Sequence, residues 1–162
     1  MEELYNQKTI MMSTTTKESV PAISYAPYVK IENEFYIFIS ETAVHYHHLM
    51  NNPQIAIMLI EDEKDTKILF ARTRMTLNCK AKKLETINEA AWDLFKEQYG
   101  EQMMAPLKQM DFDMFQLTPE NGRIVKGFGQ ASTIQIVNGE MVLTPITGEG
   151  HKKKEINKVQ FN

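Results

Sequence analysis

The side chains best suited to chemistry in this sequence are a histidine near the C-terminus, two arginines two residues apart, and two aspartates at the same spacing. The segment "TGEGHKKKEINKVQFN" places His151 after a Gly-Glu-Gly hinge and ahead of Lys152, Lys153 and Lys154. An imidazole in that setting reads first as part of a disordered terminus, unless the rest of the chain gives it a role. In "FARTRMTL" a strand would point Arg72 and Arg74 to one face. Two adjacent guanidiniums repel unless an anion lies between them. The anion is either the acidic side chains of the preceding "EDEKDTK" or a bound phosphate or carboxylate. In "MDFDMF" a strand would likewise align Asp111 and Asp113. Such a pair suits acid/base work, but nothing else points to a carbohydrate cleft. A single carboxylate that orients a histidine is the simpler use.

Other motifs are less specific. "HYHH" carries His45, His47 and His48, and a helix would put His45 and His48 on one face, but no carboxylate or thiolate follows at metal-ligand spacing. Gly127 and Gly129 in "GRIVKGFGQA" form neither a dinucleotide fingerprint nor a phosphate loop, so a bend in a barrel strand is expected. Cys79, the single cysteine, reads as a small residue packed inside a strand.

The elements that must position these groups are mostly strands. "KTIMMSTTT", "AISYAPYVKI" (with Pro27 marking an edge or bulge), "FYIFIS" and "QIAIMLIED" read as strands. "ILFARTRMTLNCKAKKL" reads as one long strand with Phe70, Arg72, Arg74 and Thr76 on one side and Ala71, Thr73, Met75 and Leu77 on the other. "DFDMFQLTP" and "RIVKGFGQASTIQIV", joined through "ENG", read as a closing hairpin. Helices are expected over "ETAVHYHHLMNNP", with Ser40 as N-cap, and over "TINEAAWDLFKEQYGEQM", capped by Thr86 or Asn88. Several strands precede the first helix and hairpin-length loops dominate. The fold class is therefore mainly β with some α: a curled antiparallel sheet with peripheral helices, residues 1–146 forming the domain and 147–162 a C-terminal loop. A small barrel with apolar edges is expected to complete its core as a homodimer.

Bulk properties exclude several roles. At 162 residues, 43% hydrophobic and 24% charged, the chain is an ordinary globular domain. A net charge of −3 argues against general nucleic-acid binding. The N-terminus lacks the basic start and apolar core of a signal peptide, no apolar run reaches membrane-spanning length, and one cysteine requires no oxidising compartment. A cytoplasmic protein with no membrane partner is expected.

Taken in order, "SYAPYV", "FYIFISETAVHYHHLMNNP", "IMLIEDE", "LFARTRMTL", "LFKEQYG", "FQLTPENGRIVKGFGQA" and "GEGH" resemble the HugZ/HutZ haem-utilisation family, within the FMN-binding split barrels related to pyridoxamine-phosphate oxidase. The resemblance covers nearly the whole chain. It implies a split β-barrel homodimer with haem near the dimer interface and the iron ligated by His151. It also implies an arginine approaching the haem, matching Arg72 with Arg74 beside it, and a carboxylate on the ligating imidazole, matching Asp113 or else Asp111. Arg72, Arg74 and Lys152 to Lys154 would then face the propionates. The implied activity is oxidative haem cleavage with release of iron, supplied by an electron donor. Haem storage or delivery, and an FMN-dependent oxidoreductase whose flavin phosphate sits on Arg72 and Arg74, are the alternatives.

Overall fold

The computed structural model describes residues 1–148, so His151 and Lys152 lie outside the described residues. In chain order the strands are β1 (Thr9–Thr15), β2 (Pro21–Ile31), β3 (Glu34–Ser40), β4 (Gln54–Ile60), β5 (Arg74–Lys83), β6 (Phe112–Val125), β7 (Ala131–Val137) and β8 (Glu140–Pro145). The helices are α1 (Val44–Asn51), α2 (Glu89–Tyr99) and α3 (Glu101–Lys108). The strands pair antiparallel in the order β3-β2-β1-β4-β5-β6, and pairing of β3 with β6 closes them into a barrel; β7 and β8 continue outward from β6.

Period-two patterning explains the interior. Ile55, Ile57 and Leu59 of β4 and Met75, Leu77 and Cys79 of β5 point inward, while their neighbours face out. Cys79 is thus the packed core residue its strand setting suggests, and burial pushes its thiol up to about 12. β3 has no such alternation, because it is covered on both faces. Phe35, Ile37 and Ile39 enter the barrel core, whereas Tyr36 and Phe38 meet Trp92 and Phe95 of α2. An unbroken apolar run is what a strand between two packed layers requires.

Two strands change partners midway, and each has a proline at the change. β2 pairs with β1 from Pro21 to Pro27 and with β3 from Tyr28 to Ile31. β6 pairs with β3 from Phe112 to Leu117 and with β7 from Asn121 to Val125, leaving Pro119 between them. Proline has no N–H to donate, so it fits where one side of the ladder is missing. The gap after Pro27 is filled from a helix. The Tyr99 hydroxyl accepts from the Tyr28 N–H at 3.0 Å and lies within donating distance of the carbonyls of Lys8 and Tyr28.

Several local expectations are corrected. "ENG" is not a turn: Asn121 and Gly122 lie inside β6, paired with Asn78 and Leu77, beside a register shift at Asn78/Cys79. The turn-like composition serves a bulge and a close approach instead. The hairpin comes later, at Lys126–Gln130, where Gly127 (φ +150°) and Gly129 (φ +68°) take turn conformations rather than bending a strand. The long strand starts only at Arg74, after a 3-10 turn over Leu69–Ala71. The second long helix breaks at Gly100 (φ +91°), and Asn88, not Thr86, caps it by accepting from the Ala91 N–H. Ser40 does not cap α1; its hydroxyl bonds Thr42 and Asp111.

The close approach at Gly122 is testable. A Cβ there would lie 2.3 Å from the Thr76 carbonyl oxygen and 2.7 Å from Leu77 Cδ2. Gly122→Ala should lower unfolding free energy by about 1–3 kcal/mol in urea titrations. Tyr99→Phe, which removes the bridging hydroxyl, should cost about 1 kcal/mol.

Candidate functional site

The β5–β6 ladder sets out the most promising site. Arg74 pairs with Val125 and Thr76 with Arg123, so Arg74 and Arg123 are diagonal neighbours on the outer face, with Met75 and Ile124 turned into the core. They line a cleft of about 380 Å³ with Phe70 and Ala71 before β5, Gly127 to Gly129 of the hairpin, Ala131, Ile146 and Gly148. Phe70 is 92% exposed and Phe128 55% exposed, giving the mouth two aromatic walls. Small residues keep the floor open. Two further clefts, of about 330 and 550 Å³, share walls with it around Phe128 and around Ile146.

Among the described residues, neither Arg74 nor Arg123 has a carboxylate within ion-pair distance; the four ion pairs there involve other groups. Arg74 donates only to the Arg72 carbonyl, at 3.0 Å. Two guanidiniums on one face with no ion-paired carboxylate among the described residues, beside aromatic walls, suit a ligand with anionic groups on a flat apolar body.

Arg72 is placed differently. Because the strand begins at Arg74 and not at Ile68, Arg72 lies in the segment before it and does not share a face with Arg74. Arg72 lines a separate cleft of about 380 Å³ with Gln7, Met11, Met58, Glu61 and Glu63. Its guanidinium donates to the Glu61 carbonyl and pairs with Glu63 at 3.4 Å, the intramolecular alternative for this arginine. Its Nε is nevertheless buried without a hydrogen-bond partner. Glu61 is held below the usual carboxylate range by hydrogen bonds from the Thr73 and Thr66 side chains, then the Thr73 N–H, with Arg72 a smaller influence.

The aspartates lie at the other end of β6. Asp113 Oδ2 accepts from the Tyr46 hydroxyl at 2.5 Å and pairs with Lys83 Nζ at 3.5 Å. Asp111 accepts from Ser40 Oγ at 2.8 Å. Asp113 and Arg123 are ten positions apart on one strand, roughly 30 Å of extended chain. A single subunit therefore does not bring the aspartates to the arginine cleft. Of the α1 histidines, His48 Nδ1 bonds the buried Thr14 hydroxyl at 2.9 Å. Burial, and secondarily His48, pushes the His45 imidazole down. Among the described residues no group of three or more His, Cys, Asp or Glu could hold a metal ion.

Arg123 escaped the sequence reading. The assumed turn at "ENG" placed it at the start of a hairpin strand, which hid its register against Thr76. The usable signal was the alternation of Arg123 and Val125 with the buried Ile124.

Residues 1–126 match the pyridoxamine 5'-phosphate oxidase family. The chain is 37% identical over 150 residues to a Vibrio cholerae protein named heme oxygenase HutZ, covering 91% of this chain and 84% of that protein. It belongs to the HutZ-type branch of the pyridoxamine 5'-phosphate oxidase-like split barrels. A crystal structure of HutZ from Vibrio cholerae, described as a heme storage protein, superposes with a TM-score of 0.68 at 36% identity, covering 74% of this chain and 87% of that one. Campylobacter jejuni ChuZ superposes with a TM-score of 0.82 at 31% identity over 96% of this chain, which spans 63% of ChuZ. A heme binding protein from Mycobacterium smegmatis, at 21% identity and a TM-score of 0.70, shares the fold. No helix among the described residues is long and apolar enough to cross a membrane.

The Tyr46–Asp113–Lys83 cluster of this HutZ-type barrel gives a pH-dependent expectation. The Tyr46 phenol is pushed up mainly by burial and then by its bond to Asp113, with Lys83 opposing. A raised folded value means stability is retained below about pH 10, where the unfolded phenol titrates, and is lost as pH rises further. Tyr46→Phe should lower the urea midpoint at pH 8. The further fall of the wild-type midpoint between pH 8 and 10.5 should be shallower in the variant.

Proposed function

We propose that this protein binds haem and opens its ring oxidatively, releasing iron for use by the cell. The observation that carries the reading is the Arg74–Arg123 pair, without an ion-paired carboxylate among the described residues, in an aromatic-walled cleft of a chain 37% identical to a protein named heme oxygenase. Propionates supply the anions that the guanidiniums lack, and the porphyrin supplies the flat apolar body.

His151 is proposed to hold the haem iron through its imidazole, and Lys152 would offer its charge to anionic groups of the ligand. Gly148 lines the cleft and His151 follows three residues later, a span of at most roughly 10 Å. When bound, the iron porphyrin supplies the ring-opening chemistry, with dioxygen as oxidant and an external electron donor. The chain's own work is to ligate, orient and neutralise. Asp113, with Asp111 as alternative, is proposed to accept the second N–H of the ligating imidazole, which would fix its tautomer and raise its basicity. Because the aspartates and the arginine cleft are at opposite ends of β6, such a contact favours a homodimer. The exposed apolar side chains on one face of β2, Ile23 at 79% and Tyr25 at 67%, support that assembly. A cytoplasmic setting completes the reading.

Storage without turnover has a specific observation in its favour, the description of one HutZ structure as a heme storage protein. Haemin titration followed by reductant under air separates the two. A Soret band that forms and then decays with release of chelatable iron supports the oxygenase; a stable band supports storage; bound yellow flavin in its place supports an FMN enzyme. His151→Ala should lose most haem binding or shift the spectrum to a weakly ligated form. Asp113→Asn should retain haem and alter the rate of decay, whereas Asp111→Asn should do little.

A further inference from the structure

The geometry points to Arg123 as the second half of a two-arginine clamp, with Arg74, that grips a free carboxylate of the ligand and fixes which edge of it enters the cleft. This assignment rests on the haem reading and names what in that ligand the cleft recognises.

The register carries the argument. Arg74 pairs with Val125 while Arg123 pairs with Thr76, so the two Cβ atoms are diagonal neighbours on one face, roughly 7–8 Å apart in an antiparallel ladder. Each guanidinium can swing over that gap, so both can meet one carboxylate, and a fork-shaped donor pairs with a carboxylate through two parallel bonds. Among the described residues no carboxylate competes for them. Among the described residues Arg123 has no hydrogen bond or ion pair and Arg74 has only the Arg72 carbonyl.

The surroundings then set the direction. Gly127, Gly129, Ala71 and Ala131 leave room beside the pair, and Phe70 and Phe128 stand at the mouth. A carboxylate on the guanidiniums therefore leads into an apolar body held between aromatic walls. Arg72 cannot share this role in the same subunit's cleft, because it opens on the other side of the 61–73 segment among Glu61 and Glu63.

The test uses the full chain and two probes, ferric haemin and its dimethyl ester, which keeps the ring and iron but has no free carboxylate. Soret titrations compare the wild type with Arg74→Gln, Arg123→Gln, and Lys80→Gln as a control for net charge on the outer face of β5. The clamp predicts that Arg74→Gln and Arg123→Gln each weaken haemin about tenfold or more, that Lys80→Gln stays within about twofold, and that the ester binds all four proteins alike. Matched urea midpoints show that the variants fold. Arg123→Lys should restore only part of the loss, since an ammonium keeps the charge but not the fork. If Arg123→Gln leaves haemin binding unchanged, or weakens ester and free acid equally, the clamp is overturned while haem binding stands. If the wild type gives no Soret band with either probe, the haem reading fails and the assignment falls with it.

Discussion

β6 is hydrogen-bonded along most of its length to β5 and changes its other partner midway, from β3 to β7. Barrel closure and the outward hairpin both depend on that handover. Its first half closes the barrel against β3, and its second half carries β7 and β8 away from it. The change needs a residue that donates nothing at the gap, a bulge to absorb the shift, and a residue without a side chain where β5 approaches. Pro119, the irregularity at Asn78/Cys79 and Gly122 meet those needs in succession. Were β6 to keep β3 as its partner throughout, Arg123 would face a barrel strand instead of a cleft.

The same handover separates the two groups of ionisable residues. Arg74 and Arg123 lie where β6 leaves the barrel beside the start of β5, next to a hairpin whose glycines line the same cleft. Asp111 and Asp113 lie where β6 enters it, tied to Ser40, Tyr46 and Lys83. Among the described residues, arginines without ion pairs at one end and bonded carboxylates at the other give a division of labour: one end has anion-binding capacity, and the other holds α1 to the sheet. A contact between the two ends belongs to an assembly of subunits, which is why dimerisation and ligand chemistry are linked in the proposed function.

A barrel of this kind does not by itself choose a ligand. Its architecture is shared with proteins described as a pyridoxamine 5'-phosphate oxidase and as heme-binding, and at low identity that likeness reaches only the fold. The choice rests with side chains at the open end. Here those are guanidiniums that form no ion pair among the described residues and exposed phenylalanines, a combination that favours a large apolar anion over a small polar one.

By itself the sequence determined the class of structure and most of its strands, because the alternation in β5 and the unbroken apolar run of β3 are local signals; the cap of α2 was narrowed only to Thr86 or Asn88. It also singled out Arg74 and the aspartates as residues with chemical potential. Only the tertiary structure decided which of them meet. "ENG" has the composition of a turn, and nothing local shows that β5 and β7 will hold it extended. "ILFAR" continues an alternating pattern, and nothing local shows that a 3-10 turn will divert Arg72 to Glu63 while Arg74 stays on the sheet. Arg123 became visible only through its register against Thr76. Pairing between strands distant in sequence is set by the sum of contacts around a closed barrel, so a one-residue bulge or a delayed strand start reassigns a side chain without leaving a mark in its immediate neighbours.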